Sequence, residues 1–126
     1  MVLGLRSAKK CTFKGMGLST QLATQAAAVT AVAYSASGAI SPADNVITIA
    51  TNLAAYTIAE VEIGRILVIT QSGAGTITVT QTNGTFDGTN NTATFDAANE
   101  TLVLYGQANN RWLILKNLGS VALSSV

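Results

Sequence analysis

Short runs of alternating apolar and polar residues, separated by turn residues, fill most of this chain after residue 38. An alternation of period two places successive side chains on opposite faces of a strand. Residues 76–82 (TITVTQT) are the clearest case, with Ile77 and Val79 on an inner face and Thr76, Thr78 and Thr80 outside. Residues 45–51 (NVITIAT) set Val46 and Thr48 against Ile47 and Ile49. Residues 56–63 (YTIAEVEI) place Ile58 on the same parity as Glu60 and Glu62, so without a bulge the inner face is Thr57, Ala59, Val61 and Ile63. Further strands are expected at 66–70 (ILVIT), 92–96, 101–105 (TLVLY), 111–117 (RWLILKN) and 120–123. Turn chemistry punctuates them: Pro42 in SPADN, the QSGAG run, Asn83-Gly84 and Asp87-Gly88, and GQANN.

Upstream the pattern weakens. Residues 1–17 have no sustained period and read as an extended arm. Residues 18–28 fit helix and strand equally, and a strand is expected over roughly 29–36. The chain therefore divides into an arm and linker (1–37, basic at 6–14) and a β domain (38–126). About eight short strands at roughly ten-residue spacing argue for an all-β sandwich or barrel. No 34- or 42-residue repeat emerges, which sets solenoids and propellers aside.

Two of these strands are apolar on both faces, although a two-layer sandwich strand needs only one apolar face. They are Ile66, Leu67, Val68 and Ile69, and Trp112, Leu113, Ile114 and Leu115. The second face is expected to meet another subunit.

Charge sharpens this expectation. Charged residues are 10% of the 126, against about 25% in an ordinary soluble domain. Four of the seven cations, Arg6, Lys9, Lys10 and Lys14, fall in the first fourteen positions with no acid among them. The formal +1 is thus a +4 arm on a −3 body. A small domain with so little charge is expected to hide surface against copies of itself. The arm suits an acidic protein surface better than nucleic acid, because four cations with Phe13 as their one aromatic neighbour make a small footprint. A solvated tail is the other reading of such a run. No apolar run reaches the roughly 18 residues of a membrane helix, no apolar block follows the basic residues as in a signal peptide, and the lone Cys11 has no internal disulfide partner. The sequons at Asn83, Asn90 and Asn99 read as loop chemistry.

Little here suggests catalysis. There is no histidine and one cysteine, which removes the commonest general base, the commonest zinc ligand and any Cys–His pair. A carboxylate pair could be drawn only from Asp87, Asp96 and Glu100, which read instead as turn and strand-end residues. Residues 87–91 (DGTNN) offer one carboxylate, too few for calcium. No enzyme, cofactor or metal is expected. The Thr column at 76, 78, 80 and 82 resembles an ice-binding array, but one strand without Thr-x-Thr neighbours does not make one.

The runs GAISPADNVITI from Gly38, GRILVITQ from Gly64, GTITV from Gly75, ETLVLYG from Glu100 and NRWLILKN from Asn110 resemble small jelly-roll modules of tailed-bacteriophage virion proteins, over roughly residues 38–120. The segment G-x-x-x-x-R-W-x-I is the most suggestive part. The resemblance implies a capsid decoration (cement) protein on the virion exterior, made in the host cytoplasm. It implies a homotrimer attached to the shell by an N-terminal arm; charge alone directs Arg6, Lys9, Lys10 and Lys14, as that anchor, to the major capsid protein. A fibre or baseplate module binding host carbohydrate or another virion protein is the alternative, with Tyr56, Tyr105, Trp112 and the 83–91 loop as sugar contacts, although Trp112, flanked by Leu113, Ile114 and Leu115, reads rather as a core anchor.

Overall fold

The computed structural model describes residues 30–126, so the basic arm and the ambiguous stretch 18–28 lie outside the described residues. Ala31–Val126 forms one compact unit. Ten strands and no helix occur among the described residues. They are β1 (Val32–Tyr34), β2 (Gly38–Ala39), β3 (Val46–Ile49), β4 (Ala54–Ile58), β5 (Ile66–Gln71), β6 (Ile77–Gln81), β7 (Thr92–Phe95), β8 (Thr101–Gln107), β9 (Arg111–Leu118) and β10 (Ala122–Ser124). Two five-stranded sheets result: sheet 1, in the order β9-β8-β5-β3-β1, and sheet 2, in the order β10-β7-β6-β4-β2. The all-β, two-sheet expectation therefore holds. The paired body starts before residue 38, because β1 is hydrogen-bonded to β3.

The connectivity is not the antiparallel Greek key of a jelly roll. β1, β3 and β5 run parallel in sheet 1, and β2, β4 and β6 run parallel in sheet 2. From β1 to β6 the chain crosses between the sheets five times, so each crossover that a parallel pair requires is itself a strand of the opposite sheet. This is a short solenoid-like winding. The missing repeat concealed it: Val32 faces Ile47 and Val46 faces Val68 in sheet 1, while Gly38 faces Tyr56 and Ala54 faces Ile77 in sheet 2. The offset between successive turns changes each time, so no fixed period is written in the sequence. After β6 the direction reverses. β7 runs antiparallel to β6, β8 antiparallel to β5, and β9 and β10 close the outer edges as antiparallel strands.

The alternation fixes the core. Ile47, Ile49, Leu67, Ile69, Leu102, Leu104 and Trp112 point inward from sheet 1, and Ala54, Tyr56, Ile58, Ile77, Val79, Ala93 and Phe95 from sheet 2. Each fully buried Leu or Ile side chain contributes about 1.5–3 kcal/mol relative to exposure. The expected parity of residues 56–63 is corrected here. Tyr56 and Ile58 are inside and Thr57 is outside, because β4 ends at Ile58 and a turn at 59–65 changes the phase before Val61 is buried. Ile63 is exposed, not inward.

One buried polar pair spans the two sheets. The Trp112 indole N–H donates to the Gln81 Oε1 at 2.9 Å, and the Gln81 amide donates to the Ala59 carbonyl at 3.3 Å. This chain of bonds joins sheet 1 to sheet 2 and to the turn after β4. Gly84 permits the next loop to close on the same end: a Cβ there would stand 1.9 Å from the Asn110 carbonyl oxygen.

Trp112→Phe removes ring volume and leaves the buried Gln81 carbonyl without a donor. We expect a loss of about 2–4 kcal/mol in unfolding free energy. It will read as a lower urea midpoint with unchanged slope. A loss below about 1 kcal/mol would show that the bond is dispensable.

Candidate functional site

The described residues hold no cluster of three potential metal-ligating side chains. Of the three acids proposed as a carboxylate pool, Asp87 and Glu100 have their carboxylates bonded to turn backbone. Asp87 and Asp96 flank opposite ends of β7. Asp87 Oδ1 accepts the backbone N–H groups of Thr89 and Asn90 at 2.8 and 2.6 Å, and its Oδ2 accepts the Asn90 amide at 2.8 Å. Glu100, buried, accepts the backbone N–H groups of Asp96 and Ala97 through one oxygen at 2.5 and 3.0 Å. Both carboxylates replace missing backbone partners in turns, the ordinary use of such residues.

One charged group is less fully used. Arg65 is 7% exposed. Its Nη2 donates to the carbonyls of Ser41 and Asp44, while Nε and Nη1 have no partner among the described residues. The guanidinium lies 5.9 Å from the Trp112 ring. Burial lowers its pKa, opposed by the nearby Glu62 and Asp44. The same loop is held by Tyr34, whose hydroxyl donates to Asp44 Oδ2 at 2.6 Å and accepts from the Ser41 N–H at 2.8 Å. Burial and the Asp44 bond raise the Tyr34 pKa. A cavity of about 60 Å³ lies beside Arg65, walled by Ile40, Pro42, Ile58, Ala59 and Glu60. It is far smaller than the roughly 300 Å³ at which ligand pockets begin. Arg65 is thus a staple of the 40–45 loop beneath Trp112.

The broad outer faces are the larger features. Cross-strand register places Leu113, Tyr105 and Ile66 in one row outside sheet 1. Lys116, Val103, Val68 and Val46 form the next row, and Leu118, Thr101, Thr70 and Thr48 the third. Leu115 is the extra residue where the β9–β8 register shifts. Ile66, Leu113, Leu115 and Leu118 are 41%, 39%, 50% and 47% exposed. Outside sheet 2 every position is small: Ala55, Thr78, Thr94 and Ala122 in one row, and Ala39, Thr57, Thr80, Thr92 and Ser124 in the other. The Thr strand therefore does have Thr neighbours. Its hydroxyls are partly spent internally, since those of Thr80 and Thr92 meet at 3.2 Å and Thr92 is buried.

These faces separate the eight residues expected at a subunit interface. Ile66, Leu113 and Leu115 are exposed, and Val68 and Ile114 are half-buried. Ile114 packs against the core from its own side of β9. Leu67, Ile69 and Trp112 have no accessible surface, so they belong to the subunit's own core. Tyr56 and Trp112 are likewise closed to sugar, which leaves only Tyr105 of the three aromatic contacts suggested for a carbohydrate site. Sequence reasoning missed Leu118, which extends the apolar face by one row. The signal was its place two positions beyond Lys116 in a continuing strand. Arg6, Lys9, Lys10 and Lys14, expected to form an anchor, lie outside the described residues. Comparison with protein-family models, curated proteins and solved structures finds no match.

The Asn90 backbone N–H, with smaller help from the Asn90 side chain and the Thr89 N–H, holds the Asp87 carboxylate below its usual pKa. A depressed carboxylate contributes stability that is fully present above its unfolded value, about 3.9, and is lost as pH falls through the lower folded value. The 87–90 turn should therefore stay closed through mild acid and open only below that value. Amide exchange at Thr89 and Asn90 will follow this transition, and Asp87→Asn will abolish its pH dependence. Exchange that accelerates already near neutral pH would contradict this.

Proposed function

We propose that this protein is a non-enzymatic structural component of a bacteriophage virion, a decoration protein that binds the assembled capsid as a trimer and is anchored by its basic arm. The observation that carries this reading is the charge distribution: described acids and cations sit mainly in turns, strand ends and the β9 edge, while two sheet faces are left almost free of charge. A module of this kind presents surface to be covered, and among the described residues no three potential metal ligands gather. The resemblance of residues 38–120 to small phage virion modules supports the setting, and the parallel winding takes the place of the jelly roll in that reading. The +4 arm supplies long-range attraction toward an acidic surface, and the major capsid protein in its assembled form is the partner that this reading names.

The test is co-sedimentation of the purified full chain with shells of the encoding phage and with free coat subunits. Binding to shells and not to free subunits is expected. Replacing Arg6, Lys9, Lys10 and Lys14 together by Ala should weaken shell binding by about tenfold or more and flatten its salt dependence, without changing the melting temperature. Undiminished binding by the quadruple variant would remove the arm from the mechanism. No binding to any shell would remove the capsid reading.

A further inference from the structure

We propose that the outer face of sheet 1, centred on Ile66, Tyr105, Leu113 and Leu118, is the surface through which copies of this protein associate, three such faces turning toward a common axis. The inference deepens the trimer reading above and rests on it for the number three. The contact itself stands on the geometry of the face.

The first argument is area. Four side chains exposed by 39–50%, Ile66 on β5 and Leu113, Leu115 and Leu118 on β9, leave roughly 350 Å² of apolar surface, the size of the often functional largest patch on a monomer. The half-buried Tyr105, Val103 and Val68 lie between them in register. Together they supply about half of the ~800 Å² per partner that a stable interface buries, and the polar rim completes it.

The second argument is charge. No carboxylate lies on this face, and its two cations, Arg111 and Lys116, are both on the edge strand β9. The surface inward of that edge, Ile66, Tyr105, Val103 and Val68, is uncharged, so a second copy meets it with an equally uncharged centre and keeps its cations at the β9 edge.

The third argument is asymmetry. The outer face of sheet 2 carries only Ala, Thr and Ser at the paired outward positions. It therefore offers little apolar area to compete, and association through sheet 1 leaves it free.

The edge of β9 agrees with contact through its face. Its first residues are already covered, because the Trp112 N–H donates to the Thr85 carbonyl at 2.9 Å. The register shift between Ile114 and Lys116 then bends the remaining edge, a device that discourages strand-to-strand addition. Copies are thereby directed to pack face to face.

Sedimentation of the full chain at micromolar concentration tests this. The wild type should run as a trimer. Leu113→Glu and Leu118→Glu should each weaken association by about tenfold or more, while Thr78→Glu on the opposite sheet leaves it unchanged. Because a glutamate could also unsettle the strand, Leu113→Cys in a Cys11→Ser background gives a second readout, and disulfide-linked pairs should form on mild oxidation. A monomeric wild type, a trimer indifferent to the sheet 1 substitutions, or a trimer dissolved by Thr78→Glu would overturn the proposal. A trimer that ignores every shell would leave this interface standing and remove the capsid reading alone.

Discussion

The bond between the Trp112 indole and Gln81 is the constraint around which the described fold is arranged. Each partner comes from a different sheet, and each is fully buried. A side-chain amide in such a place must satisfy both ends or cost about 1–3 kcal/mol per orphaned group. Gln81 does so by taking the indole proton on one side and giving its own to Ala59 on the other. That geometry fixes the spacing of the sheets at one end and the path of the chain leaving β4. It also fixes the seat of Arg65, whose guanidinium stands near the same indole while holding the 40–45 loop. At the opposite end Glu100 plays the corresponding part for the turn after β7, again by supplying an acceptor to backbone N–H groups.

Much of the strand content was legible because one face of most of the longer strands is buried and the other is not. TITVTQT announced its inner Ile77 and Val79 by strict alternation, and the structure agrees. The two doubly apolar strands were legible as anomalies. Their inner halves proved to be ordinary core and their outer halves an exposed sheet face. Residues 56–63 misled because period two was carried across a strand end: Ile58 closes β4, and the turn that follows resets which parity faces inward. Trp112 could be read either as an anchor or as a surface contact, since one indole in an apolar strand fits both. Burial with its N–H bonded to Gln81 decides for the anchor.

The winding was hidden for a different reason. A strand pattern records which face is buried and how long the element is, but it carries no mark of the neighbour it pairs with. Parallel pairs here are separated by a strand of the other sheet and not by a helix, so the usual signal of a βαβ crossover is missing. With the turns of unequal length, nothing periodic survives in the sequence. The ten-residue cadence is common to this path and to an antiparallel sandwich.

The low charge of the chain acquires a physical meaning from this architecture. A two-sheet body of this size has two broad outer faces, and strand alternation obliges every second residue to lie on one of them. Ordinary soluble sandwiches place Lys and Glu there. This one places Val, Leu, Ile and Tyr beside a row of Thr and the edge cations outside sheet 1, and only Thr, Ala and Ser outside sheet 2, and keeps most of its described charges for turns and strand ends. The two solutions differ in kind. Small hydroxylated side chains remain hydrated at low cost, whereas exposed Leu113, Leu115 and Leu118 forgo burial that each side chain could otherwise gain. The asymmetry between the faces therefore carries more information than the low charge alone: one side is hydroxylated and small, and the other leaves branched apolar side chains in water.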